Sequence, residues 1–308
     1  VIRKKLRIYE NELCNIIRLN QIDICISTGG KELEFLQKMK VDCCKILEMH
    51  FAKNFRSQFL LARNKNFKSF LTGYIRDRQL EIQTKKLDCV VVLTKNDENT
   101  WRKTHQNIRQ IYNFTDMFVD KPAALESKKA IAVGRLDAQK GFDMLLEAWA
   151  LKKESLEDWQ LFIYGQGEWQ LLLEQKIVEL KLNNVYLKGV STDIKKELLD
   201  SSIFLFSSRY EGFGIALLEA MNCGLPSVSF NCPHGPAELI FNDRCGILVP
   251  PGDILAFAEG IESLVNNKNL REDMAQKAYL RASFFSKENI MQQWIKLFSE
   301  VTNRRDNQ

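Results

Sequence analysis

The chain has 308 residues, of which 45% are hydrophobic and 27% charged, and 44 Lys and Arg against 39 Asp and Glu give a net charge of +5. This is the composition of an ordinary soluble globular protein, long enough for two domains. No apolar run approaches a membrane span and the first residues carry no secretory pattern, so the expected setting is cytoplasmic.

A basic segment at 3–19 predicts a helix, and the apolar run 22–27 predicts a strand that ends in Thr28, Gly29 and Gly30. A helix at 31–38 and a strand at 43–49 follow, the latter ending at His50. Residues 52–86 read as a long helix or a pair of helices with nine Lys and Arg against two acids, interleaved with aromatic residues from Phe51 through Phe59 to Tyr74. Such a stripe is either core on one side and solvated charge on the other, or a face that rests on an anionic membrane surface. Without a nucleic-acid-binding motif beside it, nucleic acid is not an expected partner. A strand at 89–93 and a helix at 97–103 come next. The triplet Asn113, Phe114, Thr115 is a glycosylation acceptor only in a secreted protein.

Periodicity is lost over 120–128, which contains Pro122 and reads as a linker. Charge also divides there. Through Lys128 there are 24 Lys and Arg against 15 acids, or +9, and the remainder has 20 against 24, or −4; a basic half of this kind faces an anionic surface. Past the linker, strands are expected at 130–133, 160–164, 185–187, 203–206, 227–230 and 246–249. Helices are expected at 143–152, 168–181, 194–201, 215–223 and 254–266. Short strands alternating with helices predict a doubly wound parallel sheet whose ligand crevice lies beyond the carboxyl ends of the strands. Two helices, 269–283 and 287–301, precede a polar tail that is expected to fray from Thr302. The eight cysteines, four of them (Cys25, Cys43, Cys44, Cys89) in apolar runs, show no CxxC or Cys/His spacing, which predicts buried reduced thiols and no metal.

Two strand-to-helix loops carry the chemistry. After the strand at 130–133, Arg135 and Lys140 are bracketed by Gly134 and Gly141, and both cations are expected on a solvent-lined loop, as phosphate ligands or as a solvated turn. After the strand at 203–206 come Glu211, Gly212, Phe213 and Gly214, then a helix apolar on nearly every face except at Glu219. That carboxylate needs a reason, either an internal hydrogen bond or ion pair or a ligand. Glycines and the free amides at the start of the helix suit a phosphate group, and Glu211 and Glu219, of the order of 10 Å apart, would straddle a diphosphate with a sugar at one end and a ribose at the other. Gly165, Gln166 and Gly167 lack the third glycine of a dinucleotide fingerprint, there is no P-loop, and no paired aspartates are present to carry a metal-bound diphosphate. Nothing here calls for a cofactor.

Taken together, VGRLDAQKG, YGQGE, EGFGIALLE and GLPSVSF resemble the nucleotide-sugar domain of retaining glycosyltransferases of family 4, over about 130–285. The resemblance implies an α/β GT-B fold, with two Rossmann-like doubly wound parallel-sheet domains facing a cleft. The implied division is a partial acceptor-side domain at 1–124, a nucleotide-sugar-binding domain at 125–285, and a helix and tail at 286–308 that crosses back to the first. Matched position by position, Arg135 and Lys140 would bind the donor diphosphate, Glu211 the sugar hydroxyls and Glu219 the ribose. The backbone of Gly212, Phe213, Gly214 and Ile215 would receive phosphate charge, Val190 and Ile194 would hold the base, and Gly165 would let the nucleotide approach. His50 would face the donor sugar, with a satisfied structural histidine as the competing reading. The implied reaction is metal-independent transfer of a hexose from a nucleotide-sugar, a UDP-sugar, to a glycan or lipid-linked acceptor in surface polysaccharide or lipopolysaccharide synthesis, by a cytoplasmic or peripheral enzyme. A sugar-nucleotide epimerase and a non-catalytic nucleotide-sugar-binding protein are the alternatives. Family members open with several elements not found here, so about a third of an ordinary first domain is expected to be missing.

Overall fold

The structure is a computed structural model that describes residues 2–53, 55–57, 60, 67–241 and 244–306; Phe59 lies outside them. Two units form, Val1–Tyr112 with Glu288–Gln308 and, between them, Asn113–Lys287. The first contains α1 (Ile2–Leu19), β1 (Ile24–Ser27), β2 (Cys44–Met49), α2 (Phe67–Thr84), β3 (Cys89–Val92), α3 (Lys95–Arg102) and β4 (Ile108–Gln110). Its strands lie in the order β1-β2-β3-β4, all parallel, with Ile26 opposite Ile46 and Ile46 opposite Cys89. All four residues of β3 are buried, as expected of a central strand covered on both faces. Thr94 caps α3 by accepting a hydrogen bond from the Asp97 amide at 3.2 Å. The chain's last helix packs here too: Arg109 Nη2 meets Glu300 Oε2 at 3.1 Å, and Cys44 Sγ donates to the Val301 carbonyl.

Where an α-helix was expected at 31–38, two 3-10 turns occur, Lys31–Glu34 and Leu36–Lys38. The buried residues there include Leu33, Leu36 and Met39. A spacing of three suits the tighter helix, which stacks i and i+3 on one face.

The second unit alternates without a break: β5 (Lys129–Val133), α4 (Phe142–Leu151), β6 (Gln160–Tyr164), α5 (Gln170–Glu179), β7 (Val185–Gly189), α6 (Ile194–Leu199), β8 (Ile203–Phe206), α7 (Ile215–Asn222), β9 (Ser227–Phe230), α8 (Pro236–Leu239), β10 (Gly246–Val249), α9 (Ile254–Asn266) and α10 (Lys268–Ala282). Asp193, Asp253 and Asn267 cap α6, α9 and α10, each accepting an amide hydrogen bond at 3.0 Å. Trp149, Phe257, Leu205 and Ile163 are among the core residues that join the helices to the sheet. The last helix, α11 (Lys287–Asp306), continues through Thr302 rather than fraying there.

Strand order in the second sheet is β10-β9-β8-β5-β6-β7, all parallel. In order of appearance this is the doubly wound arrangement that reverses direction between its first strand, β5, and its fourth, β8. β5 pairs with β6 over five residues, but with β8 only at Ala130↔Ile203 and Ile131↔Phe204. The β5–β8 ladder therefore stops two residues short of both carboxyl ends, and the loops that leave those ends turn to opposite faces. In sheets of this kind ligand crevices lie at the reversal, beyond the carboxyl ends of the strands.

Candidate functional site

Loop 134–141 leaves β5 and loop 207–214 leaves β8, so the reversal brings the two sequence motifs together. Asp137 Oδ1 accepts from the amides of Gln139 at 3.0 Å and Lys140 at 3.3 Å, which folds the first loop tightly. Cross-links then run to the second loop. Gln139 Nε2 donates to the Tyr210 carbonyl at 3.1 Å, the Arg209 amide to the Gln139 carbonyl at 2.8 Å, and Ser207 Oγ to the Lys140 carbonyl at 2.8 Å. Arg209 also grips Asp143 in α4 through two parallel bonds of 2.8 and 2.6 Å, the bidentate geometry that fixes a guanidinium plane. The two loops form one rigid wall.

At the centre of that wall, Lys140 Nζ lies 2.6 Å from Glu211 Oε1, and the same oxygen accepts from Ser208 Oγ at 2.6 Å. The pair is largely buried, with side chains 16% and 8% exposed. This corrects the expectation that both cations lie on a solvent-lined loop. Arg135 does, with its side chain 66% exposed and Nη2 at 3.2 Å from Asp137 and 3.0 Å from Gln139. Lys140 is instead held by an acid 71 residues away in the chain, over the ring of Phe206.

The start of α7 directly follows the second loop. Gly214 caps it at φ +100°, a conformation costly for a residue with a Cβ, and no side chain caps the first turn. Gly212 and Ile215 are part-exposed beside it, while Phe213 is buried edge-on against Phe285. The Phe213 ring therefore serves packing. Glu219, one turn into the helix, is half-buried, and Thr115 Oγ1 donates to it at a long 3.5 Å. Burial raises its pKa, and the Thr115 bond only partly opposes this. Thr115, at the start of the second unit, is a neighbour that sequence reasoning considered only as a glycosylation acceptor.

Of the remaining candidates, Val190 is exposed beyond β7, and Ile194 opens α6, part-exposed. Gly165 is required by the fold itself. At φ +142°, an added Cβ would sit 1.8 Å from the Gly134 carbonyl oxygen, so the protein's own backbone demands the glycine. His50 belongs to the first unit, just past β2, where Nε2 lies 3.7 Å from Glu48 Oε2. Among the described residues, no helix is long and apolar enough to cross a membrane.

Residues 113–281 match the family described as glycosyl transferases group 1. Among curated proteins, an uncharacterized glycosyltransferase of Haemophilus influenzae is 29% identical over 95% of this chain and 79% of its own length. The amylovoran biosynthesis glycosyltransferase AmsD of Erwinia amylovora is 32% identical over 67% of this chain and 60% of its own. Among solved structures, a TarM variant of S. aureus in complex with fondaparinux, alpha-GlcNAc-glycerol and UDP superposes with a TM-score of 0.76 at 26% identity, covering 89% of this chain and 55% of that one. A sucrose-phosphate synthase of Thermosynechococcus elongatus, 18% identical, shares the fold with a TM-score of 0.82 over 98% of this chain and 79% of its own. Both structural likenesses are to GT-B enzymes, and the chain spans less than two thirds of AmsD and of TarM.

Proposed function

The chain belongs to the glycosyl transferases group 1 family, and from that premise we propose that it moves a hexose from a UDP-sugar to a hydroxyl of a glycan or lipid-linked acceptor in surface polysaccharide synthesis, with retention at the anomeric carbon, without a metal, and as a family 4 enzyme. Glycosyl transfer in polysaccharide and glycan synthesis is the shared activity of its bacterial relatives, which include an amylovoran glycosyltransferase and a poly(glycerol-phosphate) alpha-glucosyltransferase. UDP occupies the related TarM structure. A cytoplasmic, peripheral-membrane setting is part of the same reading.

One observation carries the proposal: Lys140 and Glu211 are locked together at the β5–β8 reversal beside an uncapped helix start and the exposed Arg135. When a glycosidic bond to a diphosphate breaks, negative charge grows on the leaving oxygens, and fixed cations and amides aimed at them lower the barrier without reorganising. Arg135 and the amides at Gly212–Ile215 receive that charge in this reading, and Lys140 adds a cation whose position is already set. Glu211 uses Oε1 for both Lys140 and Ser208, which leaves Oε2 to orient a sugar hydroxyl. Glu219 faces the ribose, His50 the donor sugar, and the backbone near Val190 and Ile194 the base. The acceptor hydroxyl attacks on the face from which the diphosphate departs and gives that group its proton. No step requires the protein to act as nucleophile.

Thermal unfolding with nucleotides and nucleotide-sugars tests this directly. Ligand at a hundredfold excess over its Kd contributes about 2.7 kcal/mol, so UDP and one UDP-sugar are expected to raise Tm where ADP and GDP do not. Product analysis with and without acceptor then separates transfer from epimerisation, and the anomeric proton coupling of the product reports retention. If no nucleoside diphosphate stabilises the protein, the donor assignment is wrong.

A further inference from the structure

Among the described residues, four that are not glycine hold a left-handed φ: Gln21 at +49°, Leu125 at +58°, Lys181 at +53° and His234 at +64°. A Cβ makes that region costly, so each needs a cause. Gln21 and Lys181 follow helix ends, where the Ile22 amide donates to the Ile17 carbonyl and the Leu182 amide to the Ile177 carbonyl, both at 3.0 Å. A left-handed residue is the ordinary end of a helix closed in this way. Leu125 buries its side chain in the linker. His234 follows no helix and is only half-buried, so neither cause covers it.

Its place in the fold supplies one. β9 pairs with β8 through Ser229 opposite Phe206, so loop 231–235 leaves the sheet at the same edge as the loop that carries Glu211. That loop is tied down on both sides of His234. Cys232 is buried, which pushes its thiol up in pKa; Glu211 adds to the rise and Lys140 opposes it, so the residue lies within the field of that pair. On the other side, Gly235 stands at φ +112°, where an added Cβ would be 2.0 Å from the Phe213 carbonyl oxygen. Backbone thus presses directly on backbone at the segment that opens α7. A glycine at 234 would take the same left-handed φ without its cost, yet an imidazole stands there, with one donor and one acceptor nitrogen when neutral. A side chain kept in a costly conformation beside a crevice points to a use for that side chain.

We propose that His234 determines donor specificity by taking a hydroxyl of the transferred sugar through a ring nitrogen. The inference rests on the UDP-sugar reading given above and deepens it. In that reading Glu211 Oε2 meets one sugar hydroxyl and the amides at Gly212–Ile215 meet the diphosphate, and the loop of His234 borders both. A second hydroxyl is then held from a second loop, which fixes the sugar's orientation better than one contact can. His234 touches the sugar and not the nucleotide, which separates its effect from those of Arg135 and Glu219.

Calorimetric titration of UDP, UDP-glucose, UDP-galactose, UDP-N-acetylglucosamine and UDP-N-acetylgalactosamine into the full chain and its His234→Gly and His234→Ala variants tests the proposal, with Tm measured for each protein. Both variants lack the imidazole, and of the two only His234→Ala keeps a Cβ at the left-handed φ, so His234→Gly should melt above His234→Ala. The UDP-sugar that binds the parent best should lose about tenfold in affinity in both variants, the scale of one hydrogen bond. UDP itself should bind all three proteins alike, which shows that the loop still sits against the start of α7. Two results overturn the assignment of His234 alone: a UDP-sugar bound as tightly by His234→Gly as by the parent, or UDP weakened as much as the UDP-sugar, which gives His234 the role of holding its loop. A parent that binds none of the UDP-sugars overturns the donor assignment, and the role of His234 with it.

Discussion

Lys140→Met is the substitution from which the site has most to lose. It leaves Glu211, 8% exposed, without the cation that lies 2.6 Å from it. At an effective dielectric of about 20, two unit charges at that separation attract by about 6 kcal/mol. Burial takes back much of this as desolvation, so the pair adds little net stability, but removing one partner strands the other at a cost of about 3–5 kcal/mol. For a unit of this size that corresponds to a fall in Tm of about 6–20 °C. Glu211→Gln should fall by a similar amount through Lys140, and the double variant should recover most of the loss, because two neutral side chains need no partner. Urea unfolding of the four proteins in the cycle gives the coupling energy, expected at about 2 kcal/mol or more. Single losses below about 1 kcal/mol that add to within about 0.5 kcal/mol would refute the claim that the two residues act as one buried unit.

Arg135→Ala is the complementary case. Its side chain is 66% exposed, so stability should change by less than about 0.5 kcal/mol while kcat/KM falls about a hundredfold, the scale of one lost charge-assisted contact to a leaving group; near-normal kcat/KM places the diphosphate elsewhere. Burial raises the pKa of Glu219 above its usual 4.5, so its stabilising contribution is full below that value and is lost as pH rises through the folded pKa. Glu219→Gln should therefore raise Tm at neutral pH and flatten that pH dependence, yet weaken UDP in calorimetric titration; unchanged UDP affinity returns Glu219 to a packing role. In the first unit, Glu81 is buried, which by itself would raise its pKa, but Arg78, Thr104 and Lys53 together hold it down to about 2. Its contribution is thus present above the usual carboxylate range and lost as pH falls toward 2, and Glu81→Gln should reduce the acid sensitivity of that unit followed by circular dichroism. Activity is expected to survive EDTA, and strict dependence on an added divalent ion overturns the metal-free mechanism.

The strands of the second unit were readable almost residue for residue. The bounds of β6, β8, β9 and β10 coincide with the apolar runs that predicted them, because parallel strands covered on both faces admit little else. β4 was missed: three residues, Ile108, Arg109 and Gln110, with only the first buried, are too few and too polar to register as a strand. The turns at 31–38 were misjudged because residues spaced by three are easily taken for those spaced by 3.6. In the site, Arg135, Lys140, Glu211 and Glu219 could be picked out from residue type and loop position. Their contacts could not. Lys140 with Glu211, and Asp143 with Arg209, are separated by 71 and 66 residues, and nothing local in a chain records which acid a distant cation will meet. The burial of Asp77 and Glu81 in α2 was hidden for the same reason, since a count of charges along 52–86 does not say which side of the helix each one takes.

The reversal of strand order at β5 and β8 has a consequence for how the protein becomes competent. Every cross-link of the wall joins a segment near 140 to one near 210, so nothing built from the first three strands of the unit alone contains the site. Closing a loop of about seventy residues is among the slower events available to a small domain. Nucleotide affinity should accordingly appear late during refolding, after most of the helical signal has returned. It should also act as a glue between pieces. Two fragments divided in the turn between β7 and α6 each carry half of the wall, and a ligand that touches both halves favours their reunion by mass action.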